Sequence, residues 1–438
     1  MTGLLRSSSA PASVEFVVKR DLCIGCGVCE AACPHNAIKM VYSYARGTYL
    51  PLISRGACSK CQLCLRVCPG YYIHVLHASG RAEYELRKTL RDVKKVYIGY
   101  ARNNKLRFLA SSGGVVTAIL LDALKEGYID GVLVTLLRGG ITPIAKGVLA
   151  RTEEDVILSM GSKYMPSLIG SALKELKPGS KYIVVGLPCH IYAVRKFIEI
   201  RREFQKSDFY FLGLLCGGLP NINGTLRLLR NYVKDDNQLF ITELKHRGLG
   251  WPGYLYAIIN NKRKIILPYM EYSQRLFLPF QHNICQYCIL GFNSFADISV
   301  GDAWLPELIT KEKKGISIVL LWNSQGAKLL RFTSDALNLQ NVKLGTLWKS
   351  QRGLIYKYKT MINRIALLSF FIHYKIPHFG EVSFKKIAIE MISRIGFLLA
   401  RYRLYWLLTG YELLLKSLSC SMPEPKSRYS FPSTSLTQ

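Results

Sequence analysis

Eight cysteines fall into two copies of one pattern, Cys23-x2-Cys26-x2-Cys29-x3-Cys33-Pro34 and Cys58-x2-Cys61-x2-Cys64-x3-Cys68-Pro69, each residue of the second copy 35 positions after its counterpart. The segment is an internal repeat. A [4Fe–4S] cube needs four thiolates converging on a small volume, and a tight C-x2-C-x2-C loop supplies three of them. In this spacing the cysteine before the proline serves the other cluster. One cube is therefore assigned to Cys23, Cys26, Cys29 and Cys68, the other to Cys58, Cys61, Cys64 and Cys33. Zinc would want two separated C-x2-C pairs rather than interlocked triplets. The prolines turn the chain away, while Gly25, Gly27 and Gly70 let backbone approach the sulfides closely.

Four of the remaining five cysteines sit beside turn residues or in a pair: Cys189 in Gly186-Leu-Pro-Cys189-His190, Cys216 in Leu215-Cys-Gly-Gly218, and Cys285-x2-Cys288. Four thiolates make one further site, for which zinc and a cluster both remain open on spacing alone. Cys420 reads as a thiol without a role. Ser112, Gly113 and Gly114 precede a helical pattern, where unpaired amides can hold phosphate or the serine can simply cap. Gly161-Ser162-Lys163-Tyr164 offers a flexible turn, a hydroxyl, a charge and an aromatic face, or an ordinary turn. His190 and His246 could move protons, although a lone histidine is more often structural. Trp251 and Trp304 read as core.

Elements must position these groups. Ile38 and Tyr49–Ile53 read as short strands around the cubes, and 81–95 as a charged linker or helix. Val96–Tyr100, Gly131–Leu137, Tyr182–Gly186 and Phe209–Leu215 read as buried strands, with Val115–Lys125 as a helix. Strand alternating with helix predicts an α/β body with a mainly parallel sheet, whose strand ends are the usual place for ligands. The organisation expected is a disordered leader over 1–14, a small α+β cluster module over 15–80, two parts of the body over 95–180 and 181–330, a basic amphipathic helical extension over 331–416, and a disordered tail over 417–438.

The 438 residues allow about three domains at ~150 residues each. Nearly all 13 cysteines occupy patterned positions, which suits a reducing interior and predicts a cytoplasmic address. A formal charge of +30 concentrates anions around the protein. No helix-turn-helix, zinc finger or aromatic-interleaved platform accompanies it, so nucleic acid is not an expected partner. Within the extension, Lys386, Glu390, Arg394, Arg401, Glu412 and Lys416 share one helical meridian between Phe384 and Lys416. Arg401 and Arg403 interrupt the apolar run and argue against a span. Packing on the body or a partner subunit is the simpler reading, and a peripheral membrane contact at the inner face is the rival.

The succession Ser112–Ala118, Gly161–Pro166, Gly186–Ile191, Gly213–Gly218, His246-Arg-Gly-Leu-Gly-Trp-Pro-Gly253, Cys285-x2-Cys288 and Ala296–Trp304 resembles the coenzyme F420 hydrogenase/dehydrogenase beta-subunit family in order and spacing, over about residues 95 to 325. The front repeat looks like the bacterial-type ferredoxin module of family variants that oxidise the reduced deazaflavin. The resemblance implies an α/β flavoprotein body holding FAD, a third [4Fe–4S] cluster on Cys189, Cys216, Cys285 and Cys288, hydride exchange between FAD and coenzyme F420, and single electrons passed to a redox partner protein or complex subunit. Lys163 is then the candidate for a phosphate or flavin contact, Arg247 for an anionic substrate group, and Asp302 for a ribityl hydroxyl or a turn. Leu290 stands where the family commonly has aspartate, which bears on substrate identity. A ferredoxin-dependent reductase of another conjugated substrate and a non-catalytic electron-transfer subunit are the alternatives.

Overall fold

The computed structural model describes residues 11–233, 239–358 and 361. The leader's first ten residues, the helix expected over Phe384–Lys416, the tail and Cys420 lie outside them. The framework is a nine-stranded sheet in the order Leu337–Val342, Lys95–Ala101, Ser317–Leu321, Ile298–Asp302, Asp208–Leu214, Lys181–Gly186, Gly131–Arg138, Ile144–Ala150 and Ser167–Leu168. Its four central strands, from Ile298–Asp302 to Gly131–Arg138, are mutually parallel. The flanks are mostly antiparallel: three antiparallel pairings lie on one side, and on the other a fourth joins Gly131–Arg138 to Ile144–Ala150, which pairs in parallel with the short edge strand Ser167–Leu168.

The sheet is thus mixed, with a parallel centre. The physical reason is connection length. The thirteen-residue helix Pro188–Ile200 bridges Lys181–Gly186 to Asp208–Leu214, which is the crossover parallel pairing requires, whereas the short link from Arg138 to Ile144 closes a hairpin. The stretch assigned to a helical extension over 331–416 includes a strand among its described residues. Leu337–Val342 pairs with Lys95–Ala101 along six residues and forms one edge of the sheet. Its sequence, Leu-Asn-Leu-Gln-Asn-Val, buries only Leu337 fully, so it carries a weak version of the alternation that marks a strand.

Alternating side chains divide the core into two layers, as period-2 strands require. Val132, Val134, Ile183, Tyr210 and Leu212 face the helices Val115–Lys125 and Ser324–Phe332. Leu133, Tyr182, Val184 and Phe211 face the other way, onto Pro188–Ile200 and onto Val28, Ala31, Ile73 and Leu76 of the cysteine-repeat module. The module's second face is a small core of Val14, Val17, Ile38 and Leu65 around its cysteines, closed by the hairpin Ile38–Ser43/Thr48–Ile53. A separate three-stranded sheet, Ile241–Lys245, Tyr254–Ile259 and Arg263–Pro268, packs on Ile222–Arg230 and Tyr269–Phe280. The stretch 81–95 is the helix Ala82–Arg91, whose Arg81–Glu85 and Arg87–Glu83 pairs sit one turn apart.

Main chain ties module to body. The Gly170 amide donates to the Cys26 carbonyl at 3.0 Å, and a Cβ on Gly170 would stand 2.2 Å from the Gly27 carbonyl oxygen. Tyr72 stacks on Tyr192 with ring centres 4.3 Å apart.

Candidate functional site

Twelve cysteines gather into three sets of four. Cys33, Cys58, Cys61 and Cys64 line one cavity together with Ile38, Ile53 and Leu63. The fourth member therefore comes from the other repeat. Reciprocally, Cys23, Cys26 and Cys68 stand close enough to Cys29 to act on its thiol, and Cys23 and Cys26 act in the same way on Cys68. Short helices begin right at these loops: Val28–Ala32 behind a left-handed Gly27, and Pro69–Ala78 directly after Cys68 with the proline in its first turn. Gly70 is obligatory there, since a Cβ would lie 2.3 Å from the Leu22 carbonyl oxygen.

The third set, Cys189, Cys216, Cys285 and Cys288, lines a second cavity. Cys189 sits in the first turn of Pro188–Ile200 just past one parallel strand, Cys216 just past its neighbour, and the pair on and after the short helix Asn283–Tyr287. These are carboxyl ends of central parallel strands, the expected edge. The cavity's other wall is Ile24, Pro69, Gly70 and Ile73 of the repeat module, with Lys357 completing the lining. Cys26 is near enough to influence Cys189. The three sets consequently stand in a row.

Burial pushes these thiols up, Cys26 to about 11 and both Cys23 and Cys285 to about 12; neighbouring cysteines add to the effect at Cys23 and Cys285, where Lys357 opposes it. Ionising several such thiols together needs a compensating positive charge, which bound metal supplies. Among the described residues no group of His, Cys, Asp or Glu closes tightly enough to hold a single metal ion. Ligands around one zinc stand about 3.8 Å from each other, given ~2.3 Å bonds, whereas those around a cube stand further apart. Four thiols lining one cavity are the ligand number that a [4Fe–4S] cube takes.

The residues singled out for flavin and substrate also come together, although they are distant in sequence. Arg247 makes a two-pronged pair with Asp302 at 2.7 and 2.8 Å, and the Trp251 indole N–H donates to the same carboxylate at 2.8 Å. Burial opposes the guanidinium charge, but Asp302 and the Tyr164 hydroxyl hold it well above its ordinary value. Arg247 lies over the Tyr269 ring, which stacks on Trp304, and Trp304 in turn meets Trp251. The tryptophans are part of this cluster, with Trp251 buried. Asp302 holds Arg247 and Trp251 rather than capping a turn, and Arg247 faces that carboxylate rather than open space.

Gly161, Ser162, Lys163 and Tyr164 border the same group. The Ser111 hydroxyl donates to the Arg247 carbonyl and accepts from the Ser162 amide at 2.8 Å. Gly161 has φ +94°, and a side chain there would press on the Arg247 carbonyl. Lys163 donates to the Ser159 and Gly161 carbonyls, and burial lowers its ammonium to about 7. Ser112 and Gly113 are held by Ile316 and Ser317, and Gly114 is left-handed at the start of Val115–Lys125. His246 contacts Thr225 at 3.0 Å, and burial, then Lys163, depress it to about 3. Burial depresses His190 to about 4. Both are neutral imidazoles near pH 7. Leu290 is buried in the core. Sequence reasoning passed over Lys357, which no motif marks, and Tyr269, whose ring beside Arg247 depends on the tertiary fold.

This chain belongs to the coenzyme F420 hydrogenase/dehydrogenase beta-subunit family, whose N-terminal part matches residues 96–174 and C-terminal part 179–344, with a 4Fe-4S dicluster domain over 22–71. Among its relatives, one of the subunits of the F(420)H(2) dehydrogenase of Methanosarcina mazei is 26% identical over 305 residues, covering 68% of this chain and 80% of that protein. An uncharacterized protein of Methanocaldococcus jannaschii is 30% identical over 231 residues, half of this chain, and the match spans only 57% of that relative. The chloroplastic 7-hydroxymethyl chlorophyll a reductase of Oryza sativa is 29% identical over 49% of this chain and 46% of that protein. In a solved F420-reducing [NiFe] hydrogenase complex from Methanosarcina barkeri, one chain aligns at TM-score 0.46 and 20% identity, over 63% of this chain and 93% of that one.

Proposed function

We propose that the protein is an iron–sulfur flavoprotein that moves electrons between coenzyme F420 and a redox partner protein or complex subunit. Three [4Fe–4S] clusters would be held by Cys23/Cys26/Cys29/Cys68, Cys33/Cys58/Cys61/Cys64 and Cys189/Cys216/Cys285/Cys288. FAD would be held at the glycine-bordered cluster of Ser112–Gly114, Gly161–Tyr164, Arg247 and Asp302. When bound, FAD supplies the conversion between paired hydride chemistry and the single electrons that iron–sulfur clusters carry. The observation that carries the reading is the row of three four-cysteine sets, the innermost at the sheet edge from which Asp302 also projects.

The chain's own residues do the positioning. The Arg247–Asp302 pair, buttressed by Trp251, fixes one wall without leaving a net charge. Lys163, poised near neutrality by burial, can meet an anionic group as a cation or withdraw as an amine. Burial raises the Cys216 and Cys285 thiols, and Lys357 offsets part of that rise, towards the ionised form a ligand needs. The proposed address is the cytoplasm, with or without a peripheral contact at the membrane's inner face. No described helix is long and apolar enough to cross a membrane.

Anaerobic purification with iron, sulfide and flavin assays tests the reading. About twelve irons and one FAD per chain, bleached by reduced F420, are expected, counting four irons per cluster. Zinc in place of iron, or about eight irons without flavin, overturns it. The identity with the rice reductase favours a second reading, a ferredoxin-dependent reductase of a conjugated ring. FAD that ignores reduced F420 but bleaches with reduced ferredoxin would select that one.

A further inference from the structure

Between Glu30 and Glu83 the chain contains no Asp or Glu at all, while Lys39, Arg46, Arg55, Lys60, Arg66 and Arg81 fall inside that interval. The interval includes the whole outer cysteine set. Arg46 is turned inward, bound to the Val18 carbonyl and 3.5 Å from Asp21. Lys39, Arg55, Lys60 and Arg66 are exposed, as is the run Ser54–Ala57 and the segment Ser59–Gln62 containing Cys61. Glu15 is the acid that reaches this rim, 3.8 Å from Arg55 and shared with Lys19. At the other end of the row Cys285 is buried and Cys189, Cys216 and Cys288 are partly buried, whereas Cys61 is exposed.

We infer that electrons leave or enter through the loop around Cys61, and that this loop is a docking surface for an acidic one-electron redox protein. The inference rests on the proposed three-cluster reading. Among the described residues Cys61 is the exposed member of the three sets, so an outside protein reaches the row there. A rim on which Lys39, Arg55, Lys60 and Arg66 outnumber Glu15 gives that end a positive potential, which speeds encounter with an anionic surface and repels a cationic one. With a cluster held by Cys33, Cys58, Cys61 and Cys64, each event would pass one electron to the partner's single acceptor centre, and two events would clear one hydride equivalent delivered to the body, its proton going to solvent.

Stopped-flow oxidation of the full-length, dithionite-reduced holoprotein tests this without coenzyme F420. The acceptors are acidic plastocyanin, basic cytochrome c and the neutral acceptor benzoquinone. Plastocyanin should react faster than cytochrome c at low salt, and its rate should fall as salt screens the attraction. In Arg55→Glu/Lys60→Glu the plastocyanin rate should drop about tenfold at low ionic strength and the cytochrome c rate should rise, with benzoquinone unchanged. Iron content reports whether the variant is intact, and Arg55→Glu alone provides the same comparison with a smaller change. Equal salt slopes for the two proteins, or equal losses with all three acceptors at full iron content, overturn the docking surface. A wild-type protein that lacks the clusters overturns instead the reading on which it rests.

Discussion

The cysteine-repeat module and the sheet-built body hold sulfur in opposite ways. In the module, eight cysteines lie on loops and one-turn helices around a core of Val14, Val17, Ile38 and Leu65, and the hairpin behind them has six residues per strand. In the body, four cysteines arrive from three well-separated stretches, each positioned by an element whose own packing is extensive. One region organises protein around its ligands; the other brings ligands to a framework that already stands. Metal should therefore be part of the module's folding energy and only an addition to the body's.

Removing iron makes the sharpest test of that contrast. On chelation, amide exchange protection in Ile38–Ser43 and Thr48–Ile53 should collapse by orders of magnitude, while that in Lys181–Gly186 and Asp208–Leu214 persists; equal loss in both regions would break the comparison. Next in size is Arg247→Ala, which leaves the Asp302 carboxylate without its cation and should cost about 3 kcal/mol in urea unfolding, breaking a largely buried pair. The body should lose flavin while the module keeps its iron.

Gly170→Ala probes the join between the two regions. Its methyl would meet the Gly27 carbonyl, and a loss of about 1–3 kcal/mol is expected from overpacking. Faster proteolysis near Cys26 than in the body would mark the module as the part released. The smallest effect concerns Lys163. Its folded value near 7 lies below the 10.5 of a solvated lysine, so between those values the unfolded chain binds the extra proton. Stability should rise as pH increases from about 7 to 10.5 and be flat in this respect below 7. Lys163→Met should remove that slope from the melting temperature; an unchanged slope would show that other groups cause it.

The same contrast explains what could be read from the chain. The module's ligands are legible because their chemistry demands local spacing, down to the exchange of Cys33 and Cys68 between sets. Four strands are legible as continuous apolar runs, and the observed Lys95–Ala101, Gly131–Arg138, Lys181–Gly186 and Asp208–Leu214 differ from expectation by a residue or so at each end, whereas central Ile298–Asp302 was not read as a strand. The antiparallel flanks were not legible, since strand direction depends on the path of the connection rather than on side chains. Leu337–Val342 was missed because an edge strand needs only one buried face, and polar Asn338, Gln340 and Asn341 hide it. Arg247 and Asp302 were each marked, but their mutual engagement across 55 positions is a property of the packed fold.

One helix has a consequence for any shortened form of the protein. Pro69–Ala78 begins at a ligand of the module's inner set, and its first turns also roof the body's sulfur pocket, with Tyr72 seated on Tyr192. Cutting away the front 80 residues would not yield a simpler working core. It would unstopper the pocket and open Cys189 and Cys216 further to water and dioxygen, so that any centre these thiols hold would become perishable.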